Sequence, residues 1–439
     1  MKPFIPMSEF ADRRRRLMEQ MAPDSIAIVA AAPERTRNRD VLHPFRQDSD
    51  FQYLTGFGES DAVLALIPGR EHGESVLFCK ERNPEKELWD GFLAGPEGAI
   101  ERFGLDDAFP IADIDEILPG MIEGRSRVYY PLGKDQAFDT QVMDWIHIIR
   151  SKVRSGAQPP GEFVALEHML HDLRLYKSAN EIKAMARAGE ISAQAHCNAM
   201  VRARQGGHEY NLEATLIHTF MEHGARSTAY PSIVGGGTNG CILHYIENSA
   251  PLAEGDLVLI DAGCELECYA SDITRTFPVS GRFSEPQRAL YEVVLAAQYA
   301  AIDAVRPGNH WNHPHEAALR ALTQGLVDLG LINLSLDDAL AQEAYRPFFM
   351  HRTGHWLGLD VHDVGDYKVG GAWRVLEPGM ALTVEPGLYI APGNTEVNEQ
   401  WRGIGIRIED DVVVTKDGCR VLSDGVPKEI SEIEALMAS

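Results

Sequence analysis

Leu257-Val258-Leu259-Ile260-Asp261-Ala262-Gly263 is an apolar run of strand length that ends on a carboxylate, and a second carboxylate, Asp272, follows closely. An uninterrupted, largely β-branched run predicts a buried strand. A carboxylate at its end, with no Lys or Arg beside it in the chain, is costly there unless something cationic neutralises it. The turn region at Gly263 predicts a hairpin that brings Asp261 and Asp272 together. Two carboxylates at that distance repel and shift each other's pKa unless a metal lies between them. Alone, such a pair reads more simply as two solvated loop aspartates, so the rest of the chain has to decide.

Three groups downstream bear on it. His351-Arg352-Thr353-Gly354-His355-Trp356-Leu357-Gly358-Leu359-Asp360-Val361-His362-Asp363 concentrates histidines well above the chain's sixteen in 439 residues. Gly354 and Gly358 break helical continuity, which excludes an H-E-x-x-H zinc helix. Leu382-Thr383-Val384-Glu385-Pro386-Gly387 reads as a strand delivering a carboxylate into a Pro-Gly turn. In Gly405-Ile406-Arg407-Ile408-Glu409-Asp410, alternation puts Arg407 and Glu409 on one face of a strand. Each glutamate alone is a solvated strand end; three strands ending in carboxylates beside a histidine cluster point to one ligand set. One histidine and four carboxylates form a hard, oxygen-rich site of about four negative charges, suited to two divalent cations, Mn²⁺ before Co²⁺, Fe²⁺ or Zn²⁺. Two cations sharing a bridging water would acidify it and polarise a carbonyl, so metal-assisted hydrolysis is the reaction class.

The bulk numbers exclude other classes. Sixty-five acidic against 41 basic residues give a net charge of −24, which disfavours nucleic acid and anionic membranes as partners. No apolar run approaches the roughly 18 residues of a membrane span, and Met1-Lys2-Pro3-Phe4 opens no signal-like segment. The six cysteines (79, 197, 241, 264, 268 and 419) lack paired spacing and read as reduced cytosolic thiols. Cys264 and Cys268 would be half a zinc site with no second half.

At 439 residues, two domains are expected. The first reads as α/β: a helix over 9–21 whose Arg13-Arg14-Arg15-Arg16 run forms a solvated face, a strand over 26–30, and alternating elements through 62–67, 75–79 and 128–131. Trp89, in a polar loop-like context, is either a core residue or a substrate or subunit contact. Arg154-Ser155-Gly156-Ala157-Gln158-Pro159-Pro160-Gly161 is linker-like, and Ser178-Ala179-Asn180-Glu181 is a capping box opening a long helix towards Met200. The boundary therefore falls near 174, dividing the chain into 1–173 and 174–439. Helices are expected over 208–223, 285–305 and 315–329, and strands over 381–385 and 404–414, an α+β pattern. Gly235-Gly236-Gly237-Thr238-Asn239-Gly240 satisfies G-x-G-x-x-G but is followed by the strand-like Ile242-Leu243-His244-Tyr245, so it reads as a flexible or close-approach loop rather than a dinucleotide site.

Asp261, Asp272, His355, Glu385 and Glu409, with the motif 354–363, resemble the pita-bread metallopeptidases, and within them the bacterial aminopeptidase P group. The stretch His43 to Phe51 is similar to that group's creatinase-like N-terminal domain. The resemblance implies an α+β chain, a pita-bread catalytic domain behind a smaller α/β domain. It implies a cytoplasmic homodimer or homotetramer that removes the first residue from peptides with proline second, using a metal-bridging hydroxide. In that scheme Asp261 binds one cation, His355 and Glu385 the other, and Asp272 and Glu409 bridge; Glu385 also moves the proton. His351 and His362 hold the carbonyl oxygen and His244 lies near the scissile bond, each with a purely structural role as its alternative. Arg407 and Tyr389 orient Asp261; Tyr230 lines the pocket or packs in the core; Trp89 reaches a neighbouring subunit's site. Prolidase, which cleaves Xaa-Pro dipeptides, and a non-catalytic binding protein of the same fold are the alternatives.

Overall fold

The apolar run forms the strand Leu257–Asp261, central in an antiparallel sheet between Ile233–Gly236 and Thr274–Pro278. Its register sets Asp261 opposite Thr274, two residues after Asp272. The expected hairpin is longer than a single turn: Cys264–Leu266 and Tyr269–Ala270 form a smaller hairpin inside it. Glu267 and Cys268 turn it, both at positive φ, as a two-residue type I′ turn requires. Gly263 is needed for space, since a Cβ there would meet the Ser271 carbonyl oxygen at 1.7 Å.

The computed structural model describes residues 3–203 and 207–439, so the Met1-Lys2 opening of the chain lies outside the described residues. The chain divides into two compact units, Met1–Arg174 and Leu175–Ser439. In the first, six strands form a sheet in the order 107–110, 75–79, 63–66, 25–30, 127–130, 162–165. Only Val63–Leu66 runs against the others. Ile26, Ile28, Val76, Phe78, Val128 and Tyr130 alternate onto one face and pack with Trp145 and Ile149 of the helix Gln136–Ser151.

Several local expectations change here. The helix near the amino terminus runs Met7–Met18, and its arginine run is only half solvated. Arg13 donates to the Tyr53 carbonyl (3.1 Å) and Arg14 to that of Leu54 (2.9 Å), both buried against the C-terminal end of the helix Ser49–Thr55. Carbonyls left unpaired at a helix end attract cations, which a charge run in sequence does not reveal. The polar stretch around Trp89 is a helix, Pro84–Asp90, and Trp89 is 85% exposed, so it is no core residue. The linker-like segment 154–161 lies inside the first unit, followed by the strand Glu162–Ala165 and the helix Glu167–Leu175.

In the second unit the capping box forms in both directions, Ser178 N–H to Glu181 (2.9 Å) and Glu181 N–H to Ser178 Oγ (3.2 Å), and opens Ala179–Ala203. That helix packs with Glu209–Glu222, and Glu285–Ala304 packs with His313–Asp328. The expected strand over 404–414 is two, Gly405–Arg407 and Asp410–Val414, pairing with Gly387–Tyr389 and Ala381–Val384 respectively. The break falls at Ile408-Glu409, where the Glu409 N–H turns to the Thr274 carbonyl instead (3.0 Å). The 235–240 loop is a close approach: Gly235 leaves no room for a Cβ, and a short 3₁₀ turn over Gly237–Cys241 follows. Ile242 to Tyr245 continue as turn, not strand, among the described residues.

Candidate active site

The fold brings the carboxylates together from four separate segments. Asp272, His355 and Glu409 present ligand atoms all within 4.8 Å of one another. Asp261 joins through Tyr230, whose hydroxyl reaches Asp261 Oδ1 at 2.6 Å and also contacts Asp272 Oδ1. Glu385 joins through His355 Nε2, 4.0 Å away. His355 Nδ1 lies 2.9 Å from the Trp356 carbonyl, so that nitrogen donates and Nε2 faces Asp272 at 3.4 Å. This is the ring orientation a metal-binding imidazole needs. Gly354 makes it possible: a Cβ there would meet the Thr383 carbonyl at 2.2 Å, and the neighbouring Trp356 pairs with Leu382 of the strand 381–384. A buried ion pair, Lys177–Asp363 at 2.8 Å, ties down the far end of the histidine loop.

Thr274 and Arg407 brace the cluster. The Thr274 hydroxyl donates to Glu409 Oε2 (2.6 Å) and accepts from Arg407 Nε (3.1 Å). Arg407 also donates to Asp261 Oδ2 at 2.5 Å and to the Tyr389 hydroxyl at 2.9 Å. Arg407 therefore orients Asp261 directly, and Tyr389 acts on Arg407 rather than on Asp261. Behind them Arg275 donates to the Glu409 carbonyl (2.6 Å), and Gln298 donates to the Val384 carbonyl (2.9 Å) and to Asp410 (2.8 Å).

The electrostatics reflect too few cations for four acids, of which Asp272 and Glu409 are buried and Asp261 and Glu385 half-buried. Burial, then Asp272, Glu385 and Asp261, push Glu409 well above the carboxylate range. Burial lifts Glu385 to about 7 even though His355 and Arg407 pull it down. Asp261 is raised by burial against Arg407, which only partly offsets it. Burial lowers His355, but the Asp272 hydrogen bond and the charges of Asp272 and Glu385 outweigh it and raise its pKa to about 9. A closely set group of four carboxylates, two of them buried and two half-buried, beside one imidazole fits hard divalent cations.

Residues 183–416 match the metallopeptidase family M24, and residues 10–129 match the aminopeptidase P N-terminal domain. The chain belongs to metallopeptidase family M24. It is 47% identical to the Xaa-Pro aminopeptidase of Escherichia coli K12 over 436 residues, 99% of this chain and 98% of that one. Its structure is similar to that of Pseudomonas aeruginosa aminopeptidase PepP, with TM-score 0.99 and 65% identity over 100% of this chain and 99% of that one. Zinc-substituted E. coli aminopeptidase P in complex with product follows at TM-score 0.96 and 47% identity, over 99% of this chain and 98% of that one. The two-domain architecture, an aminopeptidase P N-terminal domain ahead of a pita-bread M24 domain, is that of these relatives.

The other expected site residues of this M24 chain are placed as follows. His351 is held at both nitrogens, Nδ1 by the Arg352 carbonyl (2.7 Å) and Nε2 by the Tyr389 hydroxyl (2.9 Å). Burial and the charge of Arg407 lower its pKa to about 4. His362 is exposed overall and stands edge-on to His355, ring centroids 4.2 Å apart; partial desolvation of its ring and the charge of His355 lower its pKa. His244 is exposed and near enough to both to act on them. Tyr230 is half-buried, and its hydroxyl serves the two aspartates. Sequence reasoning missed His315, whose Nδ1 meets Thr353 Oγ1 at 2.8 Å while the Thr353 carbonyl takes the Glu385 N–H at 3.0 Å. It also missed Thr274, Arg275 and Gln298. Only His315, in His313-Pro314-His315-Glu316, carried a visible signal.

Proposed function

We propose that the protein is an Xaa-Pro aminopeptidase, a peptide hydrolase that removes the first residue from chains with proline in second position. The observation that carries this is the convergence of Asp261, Asp272, His355, Glu385 and Glu409 in one buried to half-buried cluster with excess negative charge, in an M24 chain. Those five residues would hold two divalent cations, with Mn²⁺ our choice, which when bound supply Lewis acidity and a nucleophile at neutral pH. Asp261 would serve one cation and His355 and Glu385 the other, while Asp272 and Glu409 would be shared. Glu385 takes the proton from water and delivers it to the leaving amine. His362 and His351 hold the carbonyl oxygen, His351 exchanging one of its present bonds to do so. His244 faces the scissile region, Arg407 fixes Asp261, and Tyr230 and Trp89 contribute to substrate binding. A tertiary X-Pro amide offers no N–H and a fixed ring, which favours a dedicated enzyme. A cytoplasmic homodimer or homotetramer is the proposed setting; no helix among the described residues is long and apolar enough to cross a membrane.

The test is hydrolysis of an Xaa-Pro dipeptide, an Xaa-Pro-Yaa tripeptide and a longer Xaa-Pro peptide with Mn²⁺, with Glu385→Ala as control. Cleavage of the tripeptide and the longer peptide, lost in the variant, is expected. Cleavage of the dipeptide alone would make the protein a prolidase, and no cleavage despite bound metal would sink the substrate assignment.

A further inference from the structure

The segment from Gly236 to Ala250 carries His244, yet little regular structure fixes it. A short 3₁₀ turn covers Gly237–Cys241, and residues 242–250 form no strand or helix among the described residues. Within 242–250 only Tyr245 and Asn248 are buried. A loop with so few apolar contacts keeps one shape through its polar bonds.

One side chain makes most of those bonds. Glu209 opens the helix Glu209–Glu222 and is fully buried. Its Oε1 accepts the Gly236 N–H (2.8 Å) and the Asn239 side-chain amide (2.9 Å). Its Oε2 accepts the Tyr245 hydroxyl (2.8 Å) and the Ala250 N–H (2.8 Å). A carboxylate has about four lone-pair sites, and here each meets a donor from the loop. The Glu209 N–H closes the ring on the Ala250 carbonyl (3.0 Å). Both ends of the segment and its middle thus hang on one residue. Asn248 adds a second attachment, to the Val234 N–H (2.9 Å) and the Ser232 carbonyl (2.8 Å). Between the Asn239 and Tyr245 attachments stands the exposed His244, near enough to His351 and His362 for its charge to act on both.

We propose that Glu209 is a positioning residue for His244: by gathering Gly236, Asn239, Tyr245 and Ala250 on one carboxylate, it fixes the loop that presents His244 to the substrate. The proposal rests on the reading of the protein as an Xaa-Pro aminopeptidase with His244 beside the scissile bond. A displacement of about 1 Å at a reacting site costs up to about a hundredfold in rate, so a buried acid at the base of a loop acts on the reaction without touching substrate. Its reach is also selective. Gly236, which Glu209 holds, faces Val258, whereas Asp261 faces Ile233 at the other end of the same strand pair.

The experiment compares wild type, Glu209→Gln, His244→Ala and the double variant in three measurements: tripeptide hydrolysis with Mn²⁺, amide hydrogen exchange by mass spectrometry, and calorimetric Mn²⁺ titration. Gln keeps the size of the side chain but sets an NH₂ group against two of the four donors. Exchange over 237–250 should rise about tenfold in Glu209→Gln as the loop opens locally. Its kcat/KM should fall about tenfold, and the double variant should lie within about twofold of His244→Ala, because a displaced His244 and a missing one lose the same interaction. Mn²⁺ affinity should stay within about twofold of wild type, since the attachment lies away from Asp261. Should Glu209→Gln fail to fold, Tyr245→Phe, which deletes the donor next to His244, takes its place with the same readouts. Unchanged exchange, additive losses in the double variant, or wild-type rates in His244→Ala would overturn the proposal. So would a Mn²⁺ affinity that falls with the rate, because a loosened sheet would disturb Asp261 as well. Absence of tripeptide cleavage by wild type would instead overturn the aminopeptidase reading, and exchange would then decide the loop attachment by itself.

Discussion

Two acid sites, one in each unit, differ in whether the charge around a buried carboxylate is balanced. Asp50 is 3% exposed, yet Arg174 meets it at 2.6 Å, Lys134 at 3.3 Å and His171 at 3.5 Å. Burial alone would raise its pKa, but the His171 hydrogen bond and the two cations hold it well below the carboxylate range. Glu409 is as deeply buried and lies on the other side of the ordinary value, because its neighbours are Asp272, Glu385 and Asp261. The contrast recurs between adjacent residues. Despite burial, Asp410 is held well below the usual range by Arg275 and Lys428, while Glu409 beside it is well above. Balanced charge locks a fold, whereas a surplus that burial makes costly persists where something else supplies the balance.

The comparison breaks or sharpens under four changes. The largest effect is expected from Glu385→Ala, which should cut kcat by about a hundred- to ten-thousandfold, the range for a lost general acid–base, with thermal stability of the metal-free protein at or above wild type because a repelling charge is gone. If steady-state rates fell only as far as the folded fraction did, Glu385 would be structural after all. Asp50→Ala should do the reverse, costing about 3–5 kcal/mol in urea unfolding by stranding Arg174, with kcat unchanged in the folded protein. The same pair sets a pH dependence. Asp50 titrates below its unfolded value, so its stabilisation is complete above about pH 4 and fades as pH falls further. An Asp50→Ala protein whose acid unfolding matched wild type would remove Asp50 from the account.

His196 tests the desolvated interior of the second unit. It is fully buried, with Nε2 2.9 Å from the Ala262 carbonyl, and burial lowers its pKa to about 4. Below its unfolded value of about 6.5 the unfolded chain takes a proton that the native state refuses, so stability should decline by roughly 3 kcal/mol down to about pH 4. His196→Gln should flatten that part of the Tm–pH curve, and an unchanged slope would assign it elsewhere. The smallest effect is expected from Tyr230→Phe, which removes the hydroxyl shared by Asp261 and Asp272. Mn²⁺ affinity, followed by calorimetry, should weaken about tenfold, and a null result would leave Arg407 as the principal orienting group.

Much of this was legible locally. The run 257–261, the capping box at 178–181, the helix over 285–304 and the strand into Glu385 follow from apolar periodicity, caps and turn residues, which act over a few positions. The break at Ile408-Glu409 did not, because alternation continues through it and only the Thr274 carbonyl, 135 residues away by its hydroxyl's own bond to Glu409, diverts the backbone. Nor did the burial of Arg13 and Arg14, which depends on a helix end about 40 positions distant.

The sequence by itself determined which segments become strands and helices, which residue types end them, and that five candidate ligands of hard-metal character exist. The tertiary structure decided which acids are neutralised and which are not: Asp410 receives Arg275 and Lys428, Asp261 receives Arg407, and Glu409 receives a threonine hydroxyl. Secondary structure is written in short-range periodicity, but the pKa of a buried carboxyl depends on charges a few ångströms away, and those come from anywhere along the chain.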